Sequence, residues 1–119
     1  TTLFRSRYTY QFLQQHESFT LSFFNEKYRN ALRICGTMSG RNTDKVKEAG
    51  LTPLETPSGL MSFEEARMII ECKKMFIQEL DYANLTEPYK SKIMEEAYKN
   101  ELSKHQMFIS EIVNIWIKK

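Results

Sequence analysis

Residues 107–119, MFISEIVNIWIKK, determine the fold class because they read as one long β-strand. The apolar residues at every second or near-second position predict one face of that strand, namely Met107, Ile109, Val113, Ile115 and Ile117. Ser110 and Asn114 fall on the opposite face, and Trp116 points away from the apolar row. Alternation of this kind is typical of a half-buried strand. The chain is therefore expected to contain a sheet rather than a helical bundle.

Earlier segments carry the same signal. Phe19, Leu21 and Phe23 alternate with small hydroxyl residues and predict a second half-buried strand. In residues 65–80, EARMIIECKKMFIQEL, the apolar row shifts phase near Lys73 and Lys74, which predicts a β-bulge in a third strand. A short strand is expected at residues 1–4. Together these segments predict a sheet assembled from strands distant in sequence.

Helical patterns fill the intervals between the strands. The predicted helices are RYTYQFLQQH (7–16), EKYRNALRIC (26–35), TDKVKEAG (43–50) and LTEPYKSKIMEEAYKNELSK (85–104). Thr43 is expected to cap the third and Gly50 to end it, while Thr86 is expected to cap the fourth. Strands separated by short helices indicate a mainly β, α+β or barrel architecture. Residues 1–119 are expected to form a single domain.

Composition excludes several classes of protein. Seventeen Lys and Arg residues against 15 Asp and Glu give a net charge of +2, without the basic block of a nucleic-acid-binding arm. No stretch approaches the roughly 20 apolar residues that a membrane helix requires, and the first residues, TTLFRSRYTY (1–10), lack the apolar core of a secretory signal. Cys35 and Cys72 are too few for a disulfide framework, which favours a reducing, cytoplasmic location. Interaction with neither nucleic acid nor membrane is expected.

Residues 35–45, CGTMSGRNTDK, form a polar segment between two predicted helices. Gly36 and Gly40 are too close together for a phosphate-binding P-loop, and Arg41 stands in place of its lysine. Two interpretations remain open. The segment is either a capped joint between helices, or an anion site in which Arg41 and Lys45 flank a helix start.

A second cluster, FRSRYT (4–9), places two arginines and two hydroxyl groups at a strand-to-helix junction. Arginine binds phosphate in a bidentate manner, so the cluster suits a phosphate monoester. A plain N-capped helix with exposed arginines is the competing interpretation. A third function class, a nucleic-acid-binding barrel, would use aromatic residues interleaved with basic ones, but the apolar rows place most of the aromatic residues in the core and disfavour it.

The order of these motifs resembles the flavin reductase-like family, in particular its flavoredoxin-like branch. The most specific elements are SRYT (6–9) and the pattern C-G-x-x-S-G-R-x-x-D-K-x-x-x-x-G-L-T-P (35–53). The resemblance implies an FMN-binding split β-barrel, commonly a homodimer. It implies electron or hydride transfer between a reduced nicotinamide, NAD(P)H, or a protein donor and a flavin or other acceptor.

Carried onto this chain, the resemblance implies cofactor-binding roles for Arg7, Tyr8, Thr9, Ser39, Gly40, Arg41, Lys45 and Asn84. Arg7, Tyr8 and Thr9 would lie near the FMN phosphate or ribityl chain. The flavin would be approached by Ser39, Gly40, Arg41 and Lys45. Neither a catalytic side chain nor a metal ligand is implied. The chain corresponds to the C-terminal two-thirds of the expected domain, so the alternative is a non-catalytic dimerisation or ligand-binding module that has lost flavin.

Overall fold

The computed structural model describes residues 2–4, 8–37, 44–96 and 105–118. Its strands are β1 (Thr2–Phe4), β2 (Ser18–Phe23), β3 (Pro53–Glu55), β4 (Met61–Phe63), β5 (Met68–Glu79) and β6 (His105–Ile117). Its α-helices are α1 (Tyr8–Gln15), α2 (Arg29–Thr37), α3 (Lys45–Ala49) and α4 (Tyr89–Glu96). Two 3₁₀ turns, Glu26–Tyr28 and Tyr82–Asn84, complete the described elements. The predicted mainly β class with short helices is confirmed.

Four of the strands form one antiparallel sheet in the order β1-β6-β5-β2. The long strands β5 and β6 pair along most of their length, from Met68 opposite Ile117 to Glu79 opposite Gln106. β1 pairs with β6 only at residues 105–107. Beyond Met107, the described part of the chain therefore supplies no neighbour to that edge of β6.

The sheet has one apolar face and one polar face, because residues directly opposite each other on neighbouring strands share a face. The apolar face consists of three cross-strand rows: Phe23–Met68–Ile117, Leu21–Ile70–Ile115 and Phe19–Cys72–Ile112. The polar face carries the alternate rows Ser22–Ile69–Trp116 and Thr20–Glu71–Asn114. The predicted alternation in β2 is thereby confirmed, as is the prediction that Trp116 faces away from the apolar row.

A hairpin of β3 and β4 covers the polar face. The Thr20 hydroxyl donates to the Met61 carbonyl oxygen at 2.7 Å, and the Ser22 and Ser62 hydroxyls lie 2.7 Å apart. Ser62 of the hairpin and Ile69 and Glu71 of the sheet are buried. The polar face is thus part of the interior, although several of its residues are hydrophilic.

Two register shifts interrupt the pairing of β5 with β6. One leaves Met75 as an extra residue beside Lys74, which confirms the predicted bulge. The other leaves Val113 unopposed, so that Ile112 lies opposite Cys72 and Asn114 opposite Glu71. The single apolar row predicted for residues 107–117 is therefore wrong, because a bulge changes the face on which the residues beyond it fall. Met107 and Ile109 lie on the face opposite to that of Ile115 and Ile117, and Ser110, predicted on the polar face, shares the face of Ile112.

The helix ends also differ from the sequence predictions. α2 extends through Gly36 to Thr37, and α3 is capped by Asp44 rather than by Thr43, which lies outside the described residues. Gly50 ends α3 in the left-handed conformation, φ 71°, as predicted. α4 begins at Tyr89, where Glu87 accepts hydrogen bonds from Ser91, and its predicted continuation over 97–104 lies outside the described residues.

Candidate functional site

The two ends of the polar segment 35–45 are joined by a hydrogen bond. The Lys45 Nζ atom donates to the Cys35 carbonyl oxygen at 2.7 Å, and both side chains are partly buried. A cation at this position also interacts favourably with the C-terminal end of α2. Lys45 therefore fixes the ends of the segment that contains Ser39, Gly40 and Arg41, residues that lie outside the described part of the structure.

The start of α3 is already occupied by an acidic side chain. The Asp44 carboxylate accepts a hydrogen bond from the Lys47 backbone N–H at 3.2 Å. Its negative charge interacts favourably with the first N–H groups of the helix and would repel a second anion. The start of α3 is thus a capped joint, and an anion near this segment would depend on the side chains of residues 38–43.

The start of α1 has a different character. Its first turn begins at Tyr8 and Thr9 and contains no acidic residue. The first N–H groups of an α-helix lack intrahelical partners and attract anions. The other end is attached to the sheet, because Lys74 Nζ donates to the Leu13 carbonyl oxygen. α1 is thereby attached to the sheet, and Arg7, which precedes it, lies outside the described residues.

Asn84 belongs to a different element, the 3₁₀ turn Tyr82–Asn84, and is its last residue. Its side chain is exposed, and its backbone N–H donates to the Asp81 carbonyl oxygen at 3.0 Å. Among the predicted site residues, the described side chains are those of Lys45 and Asn84. The grouping of Asn84 with the other residues stays a prediction.

The sequence interpretation missed a buried carboxylate on the polar face of the sheet. Glu71 is 0% exposed. The Trp116 Nε1–H donates to its Oε1 at 3.0 Å, and the Asn114 Nδ2–H donates to its Oε2 at 3.0 Å. The hydroxyl groups of Thr56 and Ser58, from the loop of the β3–β4 hairpin, also lower its pKa. The feature of the sequence that could have indicated this buried carboxylate is the acidic residue within the otherwise apolar run MIIEC (68–72).

Hydrogen bonding decides the protonation state of Glu71. Burial raises its pKa, but hydrogen bonds from Thr56, Asn114, Trp116 and Ser58 together bring the pKa below the ordinary glutamate value. These donors are all uncharged. Glu71 is therefore ionised at neutral pH, stabilised by dipoles rather than by an ion pair.

A second carboxylate fixes the point where the chain enters the hairpin. Both Glu65 oxygens accept from the Thr52 N–H, at 2.9 and 3.0 Å. Burial raises the pKa of Glu65, whereas the Thr52 hydrogen bonds and the charge of Lys118 lower it, with a net decrease. The hairpin is thus held by carboxylates at its entry and beneath its loop.

Two apolar grooves flank the sheet. The first, about 430 Å³, lies beside Trp116 and is bounded by Leu54 and Phe63 of the hairpin. The second, about 350 Å³, lies on the apolar face between Phe19, Cys72 and Phe108. Burial raises the pKa of the Cys72 thiol, which keeps it in the unreactive protonated form. Cys72 therefore has a packing role.

Comparison with known proteins identifies the architecture. Residues 2–119 match the family described as "Flavin reductase like domain". Among solved structures, the FMN-binding protein from Thermus thermophilus with bound p-hydroxybenzaldehyde superposes with a TM-score of 0.73 at 17% identity. A flavoredoxin of Desulfovibrio vulgaris (Miyazaki F) gives a TM-score of 0.68 at 23% identity. A protein with a split barrel domain from Shewanella frigidimarina gives 0.72 at 15% identity.

The similarity covers nearly all of this chain but only part of each similar structure. The three comparisons cover 100%, 98% and 99% of this chain but 54%, 51% and 50% of the respective structures, so the chain spans about half their length. No curated protein matches the sequence significantly. None of the helices in the described ranges is long and apolar enough to cross a membrane. The structural similarity establishes the split-barrel fold, at identities too low to transfer individual residue roles.

Proposed function

The chain belongs to the family of flavin reductase like domains, and from this premise we propose that it forms part of an FMN-binding flavoprotein. The proposed activity is transfer of electrons or hydride between a reduced nicotinamide or protein donor and a flavin or other acceptor. The observation that carries the proposal is the family match over residues 2–119. The shared fold supports it, because FMN-binding proteins and flavoredoxins are among the similar structures.

The described residues fit a flavin mononucleotide in two respects. The start of α1 is free of acidic side chains and is suited to the phosphate, with Arg7, Tyr8 and Thr9 as the proposed contacts. The hydrogen bond between Lys45 and Cys35 fixes the ends of the segment whose Ser39, Gly40 and Arg41 are proposed to contact the flavin. A bound flavin supplies the electron-accepting ring, and the chain supplies binding and orientation.

In this proposal Lys45 acts through the segment that it closes. Its ammonium group is bound to a backbone carbonyl oxygen, which compensates part of its positive charge without removing it. A cation near the flavin ring also favours the anionic reduced form. Asn84 is retained as a proposed contact from the 3₁₀ turn. NAD(P)H as electron donor, a homodimer and a cytoplasmic location complete the proposal.

Absorption spectroscopy tests the proposal. Purified protein is expected to be yellow, with flavin absorption bands, and denaturation is expected to release FMN. If the protein is isolated without its cofactor, titration with FMN should quench the flavin fluorescence to saturation. A colourless protein that leaves the fluorescence of added FMN unchanged would contradict flavin binding by this chain.

The second candidate is a non-catalytic dimerisation or ligand-binding module of the same fold. One observation favours it: the apolar face of the sheet is exposed, with Ile115 at 52% and Ile117 at 71% of their surfaces accessible. Exposed apolar surface of this extent is typical of an interaction site. A protein that self-associates but binds no FMN would support the second candidate over the first.

A further inference from the structure

Glu71 connects three parts of the fold that are separate in sequence. It lies on β5, receives hydrogen bonds from Asn114 and Trp116 on β6, and lies beneath the hairpin loop, whose Thr56 and Ser58 hydroxyl groups lower its pKa. Asn114 Nδ2 also donates to the Ser58 hydroxyl oxygen at 3.3 Å, which extends the network to the hairpin. A carboxylate inside a protein is costly unless its oxygens are fully hydrogen-bonded. The hairpin therefore covers Glu71 and is linked to it through Asn114, which bonds both the carboxylate and Ser58.

We propose that Glu71 is an acid-sensitive latch: its carboxylate holds the β3–β4 hairpin on the sheet, and protonation of that carboxylate releases the hairpin. The proton is taken from solvent and binds one carboxyl oxygen. No covalent bond changes. The open state is a sheet whose polar face is hydrated, with β5 and β6 still paired.

The chemistry of the donors makes the latch respond to protonation. The indole N–H of Trp116 can only donate a hydrogen bond, so it cannot accept one from a protonated Glu71. The Thr56 hydroxyl oxygen already accepts the Leu60 N–H at 3.1 Å. A protonated Glu71 would therefore present a new O–H group to partners arranged as donors. An unsatisfied polar group in this buried position destabilises the closed state.

The direction of the pH effect follows from the lowered pKa of Glu71. A carboxyl group whose pKa is lower in the folded state stabilises that state above its ordinary pKa. That stabilisation is lost as the pH falls through the folded-state pKa. The hairpin should accordingly be closed at neutral pH and open in acid.

Other charged groups near the polar face are exposed. On the sheet, the row beyond Glu71 pairs Lys73 with Glu111, and the hairpin carries Glu55. β2 presents hydroxyl side chains to this face, those of Ser18, Thr20 and Ser22. Because Lys73, Glu111 and Glu55 are solvated, the buried carboxylate dominates the local response to acid.

Trp116 reports the state of the latch. It is the single tryptophan of the chain. Its indole donates to Glu71 and lines the 430 Å³ groove together with Leu54 and Phe63 of the hairpin. Release of the hairpin removes those apolar neighbours and exposes the indole further to water. The expected signal is a shift of tryptophan emission to longer wavelength and greater quenching by acrylamide.

The first experiment is an acid titration of the purified full chain from about pH 7 to about pH 2, which extends well below the ordinary glutamate pKa of about 4.3. Tryptophan emission and far-ultraviolet circular dichroism are recorded on the same samples. In the wild type, the shift of tryptophan emission is expected at a higher pH than the loss of the circular dichroism signal of the strands. Coincidence of the two transitions would overturn the proposal, because it would show unfolding without a separate open state.

Two variants assign the transition to Glu71. Glu71→Gln retains the shape of the side chain but does not titrate, so its emission should lack the acid transition at pH values where the strand signal persists. Glu55→Gln is the matched control, an exposed glutamate on the same hairpin, and should behave as wild type. An unchanged transition in Glu71→Gln, or its loss in Glu55→Gln, would overturn the proposal.

A third variant keeps the test decisive if Glu71→Gln does not fold. Asn114→Ala removes one donor to the carboxylate while leaving the tryptophan reporter in place. With fewer donors, Glu71 should accept a proton more readily, so the emission midpoint should move to higher pH. A midpoint at the wild-type position would contradict the latch.

Discussion

The Lys45 ammonium group is the predicted cofactor contact whose environment the structure describes most directly. Because it donates to the Cys35 carbonyl oxygen at 2.7 Å, Lys45→Ala should release the ends of segment 35–45. Loss of one charge-assisted hydrogen bond corresponds to about 1.4 kcal/mol, or an FMN dissociation constant about tenfold higher. Fluorescence titration with FMN measures the change.

Lys47→Ala is the matched control for this prediction. Lys47 lies on the same short helix, its side chain is exposed, and its backbone N–H, which the substitution retains, is the group bonded to Asp44. Flavin affinity should therefore stay at the wild-type level. Equal losses in the two variants would show that the contact between Lys45 and Cys35 has no specific role.

Glu65 provides a residue-scale prediction about stability. Its two oxygens accept from the Thr52 N–H, so Glu65→Ala should lower the free energy of unfolding by about 1 kcal/mol at pH 7. Because the pKa of Glu65 is lowered in the fold, its contribution should fade as the pH decreases through the folded-state pKa. Urea denaturation at neutral and acidic pH measures both effects.

Glu64→Ala is the control for Glu65. The two residues are adjacent. The hydrogen bonds described for Glu64 use its backbone N–H, which donates to the Thr52 carbonyl oxygen, and its backbone carbonyl oxygen, which accepts from Lys118, and alanine retains both groups. Its unfolding free energy should lie close to that of the wild type at both pH values. A loss as large as that of Glu65→Ala would refute the assigned role of the Thr52 contact.

At the residue scale, the sequence predicts features with a local signature better than it predicts hydrogen-bond partners that are distant in sequence. Gly50 was recognised as a helix end, since a glycine after a short polar helix has a local signature. Glu71 was missed because its donors come from residues 56, 58, 114 and 116, which only the folded sheet brings together. The interaction between Lys45 and Cys35 was not predicted either, because it depends on how α2 and α3 come together in the fold.

Among the elements, helices α2 and α3 give opposite predictions for two glycines. Gly50 has φ 71°, a conformation that alanine adopts at a cost, so Gly50→Ala should destabilise the fold by about 1 kcal/mol. Gly36 lies within α2, and an added Cβ would meet no atom within 4 Å. Gly36→Ala should stabilise it by about 0.5 kcal/mol. Urea denaturation of both variants measures the effects, and equal signs would contradict the helix boundaries.

The strands were predicted more completely than their faces. Alternation in residues 18–23 and 65–80 located β2 and β5, and the phase shift located a bulge near Lys74. The second bulge, at Val113, left no clear signal because Ile112, Val113 and Ile115 are all apolar. Apolar periodicity cannot identify the extra residue where neighbours on both faces are apolar. The burial of the polar face was likewise not predicted, since the sequence does not indicate that the β3–β4 hairpin covers it.

Over the whole molecule, the exposed apolar face predicts self-association. Its rows contain Leu21, Ile70 and Ile115 together with the still more exposed Ile112 and Ile117. β6 also has an edge that pairs with no described strand beyond Met107. Apolar faces and unpaired edges favour contact with another chain. The proposed homodimer would bury this surface.

Sedimentation velocity tests this prediction at several protein concentrations. The wild type should sediment as a dimer, whereas Ile115→Lys places a charge in the middle of the apolar face and should shift the distribution towards monomer. Met61→Lys is the matched control, because Met61 is 59% exposed on the hairpin over the opposite face. It should sediment as the wild type does, and dissociation of the dimer by both substitutions alike would place the interface elsewhere.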